Sequence, residues 1–524
     1  MIFSSVEFFL FFGVVLLWLA IAQRQQTKKL FLLAASYFFY GYWDWRFTFL
    51  MLTMTLVNYY LGAVIARSRT QAVIQANYQN AYPVASQIIQ PSESEPTFQS
   101  SNLQSSNLQS SNLQSNIQRT QKLALIFAIV FDLGVLGFFK YYNFFVDSAN
   151  HALASVHIDS SLPQLGIILP VGISFITFQV MAYVIDIYRG DTDAADTVWD
   201  FALLTAFFPQ LVAGPILKAK QFLPELNKKI VLRRENFLAG MQLFLLGLFR
   251  KIVVADRLAL YVDTVFDTPQ DFSSSTTWLA VFAYAIQIYC DFSGYSDMAI
   301  GIAKCLGYEI PINFNMPYLS GSITEFWRRW HISLSTWLRE YIYIPLGGNR
   351  KGKLRQYLNL WLVMLLGGLW HGASWNFVAW GALHGSALVI HKFYADYVVT
   401  KIQVPIKGVP MALGRATGAA IAWALTLLFV CTTWVLFRAT NFSDATIVLQ
   451  KMYSWTPTGI SWYATGLWIA LPGLLIADYL GHLLNQGRYI QLNRFSHWFW
   501  LSFWLLGLLF LAPQNPQPFV YFQF

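Results

Sequence analysis

The chain has 524 residues, of which 56% are hydrophobic, 17% aromatic and only 12% charged. A soluble domain carries about twice that charged share, so a water-exposed globular protein is excluded. The net charge of +9 fits the Lys and Arg excess of cytoplasmic loops in a membrane protein better than a nucleic-acid footprint.

Hydrophobic segments fall near 6–22, 30–43, 47–66, 123–139, 165–188, 201–217, 237–254, 276–303, 357–370, 374–391, 416–437, 462–484 and 497–512. A membrane helix needs roughly 20 mostly apolar residues. The pattern therefore predicts an all-α polytopic membrane protein with about eleven to thirteen hydrophobic segments, some of them re-entrant or broken. In the first segment, Ala20, Ile21 and Ala22 imitate a signal cleavage site. The basic residues Arg24, Lys28 and Lys29 follow the apolar run instead of preceding it, which predicts a retained helix with its N-terminus outside.

Three regions are expected: N-terminal transmembrane helices over 1–66, a polar insertion over 67–122, and a core with C-terminal transmembrane helices over 123–524. The insertion contains the repeat SSNLQ SSNLQ SSNLQ, whose Ser, Asn and Gln cannot bury enough apolar surface to offset chain entropy. Disorder is the expectation. Cys290, Cys305 and Cys431 are too few and scattered for a disulfide framework or zinc site.

Strict alternation of spans would put Lys218, Lys220, Lys228, Lys229, Arg233 and Arg234 outside, against the positive-inside rule. The conflict disappears if a segment between 165 and 217 enters and leaves on one side. LPVG at 169–172 and FPQLVAGPI at 208–216 supply the breaks. Non-helical backbone at membrane depth is tolerated only under protein or beside a water-filled cavity, so this region is expected to line a cavity. The basic stretch from Arg328 to Arg355 then falls inside and the C-terminus outside.

SGSITEFWRRWHISLSTWLRE, residues 320–340, opens with a capping box at Ser322 and Glu325. Read as one helix, it places His331 on a face with Trp327, Trp330, Leu334, Trp337 and Leu338, opposite Arg328, Arg329 and Arg339. Such a helix suits the cytoplasmic interface. His331 is then either a packed core residue or a functional one. His371, in GGLWHGASWNFVAWGALHG at 367–385, is an ionisable group at membrane depth and by default a functional candidate. His384 and His391 read as packing or helix-end residues. A third element, IYCDFSGYSDMAIGIAKCLG at 288–307, sets Asp291, Ser293, Tyr295 and Asp297 in an apolar run. These residues either line a cavity or form a polar knot between helices, with Gly294 permitting close packing. Metal-ligand sets, phosphate loops and a Gly-x-Ser-x-Gly elbow are not found.

The runs YCDFSGYSDMAIG, INFNMPYLSGSITEFWRRWHISLSTWLREYIYIPLGGNR and LGGLWHGASWNFVAWGALHG, with FFPQLVAGPI upstream, resemble the membrane-bound O-acyltransferase superfamily. They are most similar to its bacterial alginate O-acetylation branch, with teichoic-acid D-alanylation proteins as more distant relatives. The resemblance implies a multi-helix funnel, His371 as the catalytic residue and His331 as a second required position. It also implies an exported polysaccharide acceptor and often a separate extracytoplasmic acetyltransferase partner, in the inner cell membrane.

The expected chemistry uses no bound cofactor or metal. Acetyl-CoA or an acylated carrier protein is a substrate reaching the site from the cytoplasm, drawn by the basic segment 328–355. His371 deprotonates the acceptor hydroxyl. Asp291, Ser293, Tyr295, Asp297, Arg328, Arg329, Trp370 and Asn376 are candidate substrate-binding residues, with Ser374, Asn376 and the backbone near Gly372 as oxyanion donors. Two other readings remain from the same residues: a secondary transporter, and a non-catalytic scaffold of a polysaccharide export system. No nucleic-acid partner is expected.

Overall fold

The computed structural model describes residues 1–81, 99–158, 161–211, 214–399, 411–455 and 458–462. Beyond these it describes 466–468, 471–473, 476, 495–512, 517 and 519–520. Among the described residues helices are the only regular elements, apart from a single isolated bridge between Phe272 and Ile460.

Four helices open the chain: α1 (Val6–Ile21), α2 (Gln25–Gly41), α3 (Arg46–Ala81) and α4 (Gln99–Leu136). Ser5 caps α1 by accepting the Phe8 N–H at 3.3 Å. Buried polar pairs hold this layer together. Asn58 Nδ2 of α3 donates to Asp132 Oδ1 of α4 at 2.8 Å, and the Thr55 and Thr205 hydroxyls lie 2.9 Å apart. The described residues include both ends of the 67–122 insertion, for which disorder is the expectation. Helix α3 runs on to Ala81 and α4 begins at Gln99, so the SSNLQ repeat is helical backbone. Helix propagation from an apolar span that is already nucleated adds one hydrogen bond per residue fixed, which offsets the poor composition. Residues 82–98 lie outside the described residues.

A π-helical turn, Gly137–Tyr141, leads into α5 (Tyr142–Ser155). Extended chain then precedes α6 (Ile173–Arg189), α7 (Val198–Ala206), α8 (Phe208–Leu211) and α9 (Ala219–Asn227). The nine residues of α7 rise only about 14 Å at 1.5 Å each, well short of a hydrocarbon core of roughly 30 Å. This helix is therefore too short to cross the membrane alone. The loops expected in the cytoplasm meet one another. Lys29 pairs with Asp200 at 2.7 Å, Lys28 donates to the Ile230 carbonyl at 3.2 Å and Gln25 to the Lys228 carbonyl at 2.8 Å.

Next come α10 (Arg234–Phe249), a π-helical turn Arg250–Ala255, α11 (Asp256–Asp267) and α12 (Ser274–Cys305). Helices α10 and α12 run antiparallel in backbone contact. A Cβ on Gly240 would lie 2.5 Å from the Gly301 carbonyl oxygen, and one on Gly294 would lie 2.7 Å from that of Gly247. Small residues that let backbones touch are the usual glue between membrane helices.

The site-bearing elements follow: α13 (Ile323–Arg329), α14 (Ile332–Leu338), α15 (Lys353–His371) and α16 (Trp375–Tyr394). Helices α17 (Met411–Arg438), α18 (Phe442–Ser454) and α19 (Phe495–Leu511) complete the described chain. Among the described residues, four stretches are long and apolar enough to cross a membrane: Arg46–Gln71, Ser115–Ser155, Arg234–Asp267 and Ala416–Arg438. Helix α12 is instead buried along nearly its whole length. The expected segment at 462–484 falls largely outside the described residues.

Gly294→Val is expected to force α10 and α12 apart and to cost ~1–3 kcal/mol, the usual range for overpacking. Gly134→Val, whose Cβ would meet nothing within 4 Å, serves as the neutral control. Thermal unfolding in detergent should show a lowered midpoint for the first variant and an unchanged one for the second.

Candidate active site

The stretch 320–340 forms two helices instead of one. Ser322 caps α13 by accepting the Glu325 N–H at 3.2 Å, while Glu325 Oε2 accepts the Gly321 N–H at 2.9 Å. The capping box is therefore real, displaced by one residue at its second bond. The helix breaks at His331, which takes a left-handed backbone conformation with φ +43°. That conformation costs a non-glycine residue roughly 1–2 kcal/mol.

Asn313 holds the break open. Its carbonyl accepts the Ile332 N–H at 2.9 Å. Its side-chain Oδ1 accepts from Ser333 N at 3.2 Å and Ser333 Oγ at 2.9 Å, and lies 3.1 Å from His331 Nδ1. An amide oxygen only accepts, so the His331 ring proton sits on Nδ1 and Nε2 presents a lone pair. Nε2 is buried with no hydrogen-bond partner. The expected interfacial helix is thus corrected to a broken hairpin with His331 fully buried at its apex. The apolar and basic faces survive the break: Trp330, Leu334, Trp337 and Leu338 are buried, while Arg328 and Arg339 are exposed.

Helix α15 ends at His371, where Gly372 turns extended with φ −155°. A Cβ on Gly372 would come 2.1 Å from the Phe377 ring, and one on Gly368 would come 2.3 Å from the Phe377 carbonyl oxygen. Only glycine lets α15 and α16 meet this closely. Ser374 caps α16 by accepting the Asn376 N–H at 3.2 Å.

The two histidines converge on Trp370. Its ring centroid lies 6.1 Å from that of His331 and 5.1 Å from that of His371. Phe178 stacks on Trp337 at 3.7 Å and on Trp370 at 5.3 Å, tying α6, α14 and α15 together. Trp380 and Phe437 each lie 5.2 Å from His371. The Trp370 indole N–H is buried without an acceptor. A buried donor beside a buried acceptor, both orphaned, is what a bound substrate would complete. A cleft lined by Phe175, Gln179, Gln210, Pro215 and Ile216 adjoins this cluster. It joins the cluster because Phe175 contacts His331 and Trp370, and Ile216 N donates to Ser333 Oγ at 3.1 Å. The segments expected to line a cavity do so.

Other candidates sit elsewhere. Asp291 pairs with Lys251 at 2.7 Å and accepts the Val520 N–H at 2.7 Å, and Lys251 also pairs with Asp256 at 2.6 Å. Asp297 pairs with Arg250. Tyr295 packs against Phe3 and Phe519, and Ser293 is buried in α12. The 291–297 cluster is therefore tied between α12, the π-turn after α10 and the C-terminal segment. Arg329 pairs with Glu325 at 2.7 Å. Asn376 donates to the Ala439 carbonyl at 2.9 Å, so its amide N–H is engaged. His384 accepts from Trp327 Nε1 at 3.3 Å through Nδ1 and meets Thr433 at 2.9 Å through Nε2; it packs, as expected. His391 Nδ1 meets Thr324 at 2.9 Å.

Two residues escaped sequence reasoning. Asn313 stood within the quoted INFNMPY run, but its reach to His331 depends on the loop fold. Lys140 lay one residue past an expected span, in FFKYYNFF, and a lone lysine in such a run was the available signal. Its Nζ donates to the carbonyls of Trp370 at 2.7 Å and His371 at 3.0 Å.

Two buried histidines in one aromatic cluster, each at a helix break and beside a small cleft, make this the candidate catalytic site. Residues 200–405, which carry both histidines, match the family model described as MBOAT, membrane-bound O-acyltransferase family. The chain is 38% identical over 454 residues to "Probable alginate O-acetylase AlgI" of Pseudomonas aeruginosa, covering 87% of this chain and 75% of that protein. It is 34% identical over 459 residues to the peptidoglycan O-acetyltransferase of Helicobacter pylori, covering 83% and 75%. It is 24% identical over 289 residues to the teichoic acid D-alanyltransferase of Bacillus subtilis, covering 53% and 71%. The chain belongs to the membrane-bound O-acyltransferase family. It is a multi-pass membrane enzyme that transfers acyl groups to oxygen, and the transporter and scaffold readings give way.

Asn313→Leu removes the acceptor that sets the His331 tautomer and leaves the Ser333 N–H unpaired. Acyl transfer is expected to fall by about tenfold or more, the rate equivalent of ~1.4 kcal/mol. Turnover in membranes at matched protein level measures it.

Proposed function

We propose that this protein moves an acetyl group from a cytoplasmic thioester, acetyl-CoA or an acylated carrier protein, across the membrane for O-acetylation of an exported polysaccharide of the alginate type. His371 is the base in this reading. The convergence of His331 and His371 on Trp370 carries it, and the names of the relatives support the acetyl group and the glycan.

The basic side of the protein gathers Arg189, Lys218, Lys220 and Arg339 around Glu340. Lys218 pairs with Glu340 at 2.7 Å, Lys220 at 3.5 Å, and Arg189 donates to the Glu340 carbonyl at 3.2 Å. Asp186, bonded to Tyr341 at 2.8 Å, also faces Lys218 and Lys220, and two carboxylates among four cations still leave an excess that attracts a phosphate-rich donor. Exposed Arg328 adds to it.

The acceptor hydroxyl oxygen attacks the thioester carbonyl carbon as His371 takes the hydroxyl proton. Collapse of the tetrahedral intermediate breaks the carbon–sulfur bond and the thiolate leaves with that proton. The Trp370 indole N–H and the extended backbone at Gly372 supply donors for the developing oxyanion. His331 Nε2 accepts a hydrogen bond from the bound substrate and orients it. The aromatic wall excludes water, which would otherwise hydrolyse the thioester. An extracytoplasmic acetyltransferase partner completes transfer where the glycan is not the direct acceptor.

Radiolabelled acetyl-CoA added to the cytoplasmic face of sealed vesicles holding the native acceptor system should label glycan or partner protein on the opposite side. His371→Ala should reduce that label by roughly a hundredfold or more, the usual range for loss of a general base. Undiminished labelling by the variant, or labelling only when donor is supplied from the opposite face, would overturn the proposal.

A further inference from the structure

Helix α15 stops inside the protein, where Trp370 and His371 are buried, and its last carbonyls have no partner within the helix. In hydrocarbon such groups are costly. Three of them are met from one place, the π-helical turn Gly137–Tyr141. Lys140 Nζ donates to the Trp370 and His371 carbonyls, and Tyr141 Oη donates to the Leu369 carbonyl at 2.8 Å. The π-turn inserts an extra residue into the helical register, which lets consecutive residues reach the same helix end; such turns recur at functional sites. The Lys140 ammonium also lies 5.9 Å from the centre of the Trp370 ring.

A lysine is an unusual choice for capping alone. Serine, asparagine or a tyrosine like Tyr141 would satisfy carbonyls without placing a charge in an apolar span, where an ionisable group is expensive and marks function. Lys140 spends both mapped bonds on the two residues that form the centre of the site. A cation there also meets the negative end of the α15 dipole.

We propose that Lys140 is a positioning residue for acyl transfer: by holding the Trp370 and His371 carbonyls it fixes the last turn of α15, and with it the aim of the His371 imidazole and the Trp370 indole. The inference rests on the reading of His371 as the base. In this role Lys140 acts through the end of α15 and not on donor or acceptor directly. Its loss therefore lowers turnover while donor binding, governed by the cleft and the basic rim, stays in place.

The experiment uses the full-length enzyme in native membranes with radiolabelled acetyl-CoA, comparing wild type, Lys140→Met, Lys140→Cys before and after treatment with 2-bromoethylamine, and His371→Ala. Folded yield is matched by size-exclusion profile. The expected result is a kcat lowered tenfold or more in Lys140→Met with donor KM within about twofold of wild type. Alkylation of the Lys140→Cys protein, which rebuilds an ammonium of nearly lysine length, should recover most of the turnover. Wild-type kcat in Lys140→Met, a change in KM alone, or no recovery on alkylation despite complete modification by mass spectrometry would overturn the proposal. If His371→Ala turns over normally, the parent reading fails; if it is inactive while Lys140→Met is normal, only the role of Lys140 fails.

Discussion

A peptide group without a hydrogen-bond partner is costly in hydrocarbon, and the candidate active site of this protein is built almost entirely where helices stop. The hairpin of α13 and α14 breaks at His331, α15 ends at His371, and α16 begins one turn later at Ser374. Each break is closed by a dedicated group. Asn313 serves the first, Lys140 and Tyr141 the second, and the Ser374 hydroxyl the third. Because those groups come from separate parts of the chain, the site exists only when the distant segments have assembled around it.

That requirement explains the aromatic wealth of the sequence. Phe175, Phe178, Trp337, Trp370, Trp380 and Phe437 pack edge to face and in stacks around the two imidazoles. Rigid rings fill the space between broken helices at little entropic cost and exclude water from the histidine cluster. Glycines do the complementary work, letting α15 and α16 touch at Gly368 and Gly381. The buried Lys251, Asp256 and Asp291 cluster secures the far side of α12 and the C-terminal segment. Polar groups in the apolar interior thus divide by position: some brace the scaffold, and others, His331 Nε2 and the Trp370 indole N–H, are buried without a partner beside the cleft residue Phe175.

Much of this was legible in the sequence, for physical reasons that differ between elements. Long apolar runs gave α1 nearly residue for residue, α10 and α17 to within about five residues and the start of α3, because a span needs bulk hydrophobicity and little else; the extension of α3 to Ala81 is polar and was not read. The region of short helices α7 to α9 was visible through a conflict, since Lys218 to Arg234 fell on the wrong side of a simple alternation. Helices α5, α11 and α18 were missed because they are short and more polar. His331 and His371 stood out as ionisable groups in apolar surroundings, but the break at His331 did not, since the amphipathic pattern continues through it. Asp291 and Asp297 had the same signature as the histidines, and only their three-dimensional partners Lys251 and Arg250 distinguish them. Asn313 and Lys140 act through contacts across 18 and more than 200 residues, which no local pattern encodes.

The central claim is that His331 and His371, though carried by different helices, form one catalytic unit around Trp370. Acyl transfer measured for His331→Ala, His371→Ala and the double variant at equal folded yield tests it most directly. Groups that act as a unit are strongly non-additive, so the account predicts a double variant no slower than the slower single one. Losses that multiply in the double variant would contradict it and place the two histidines in separate steps.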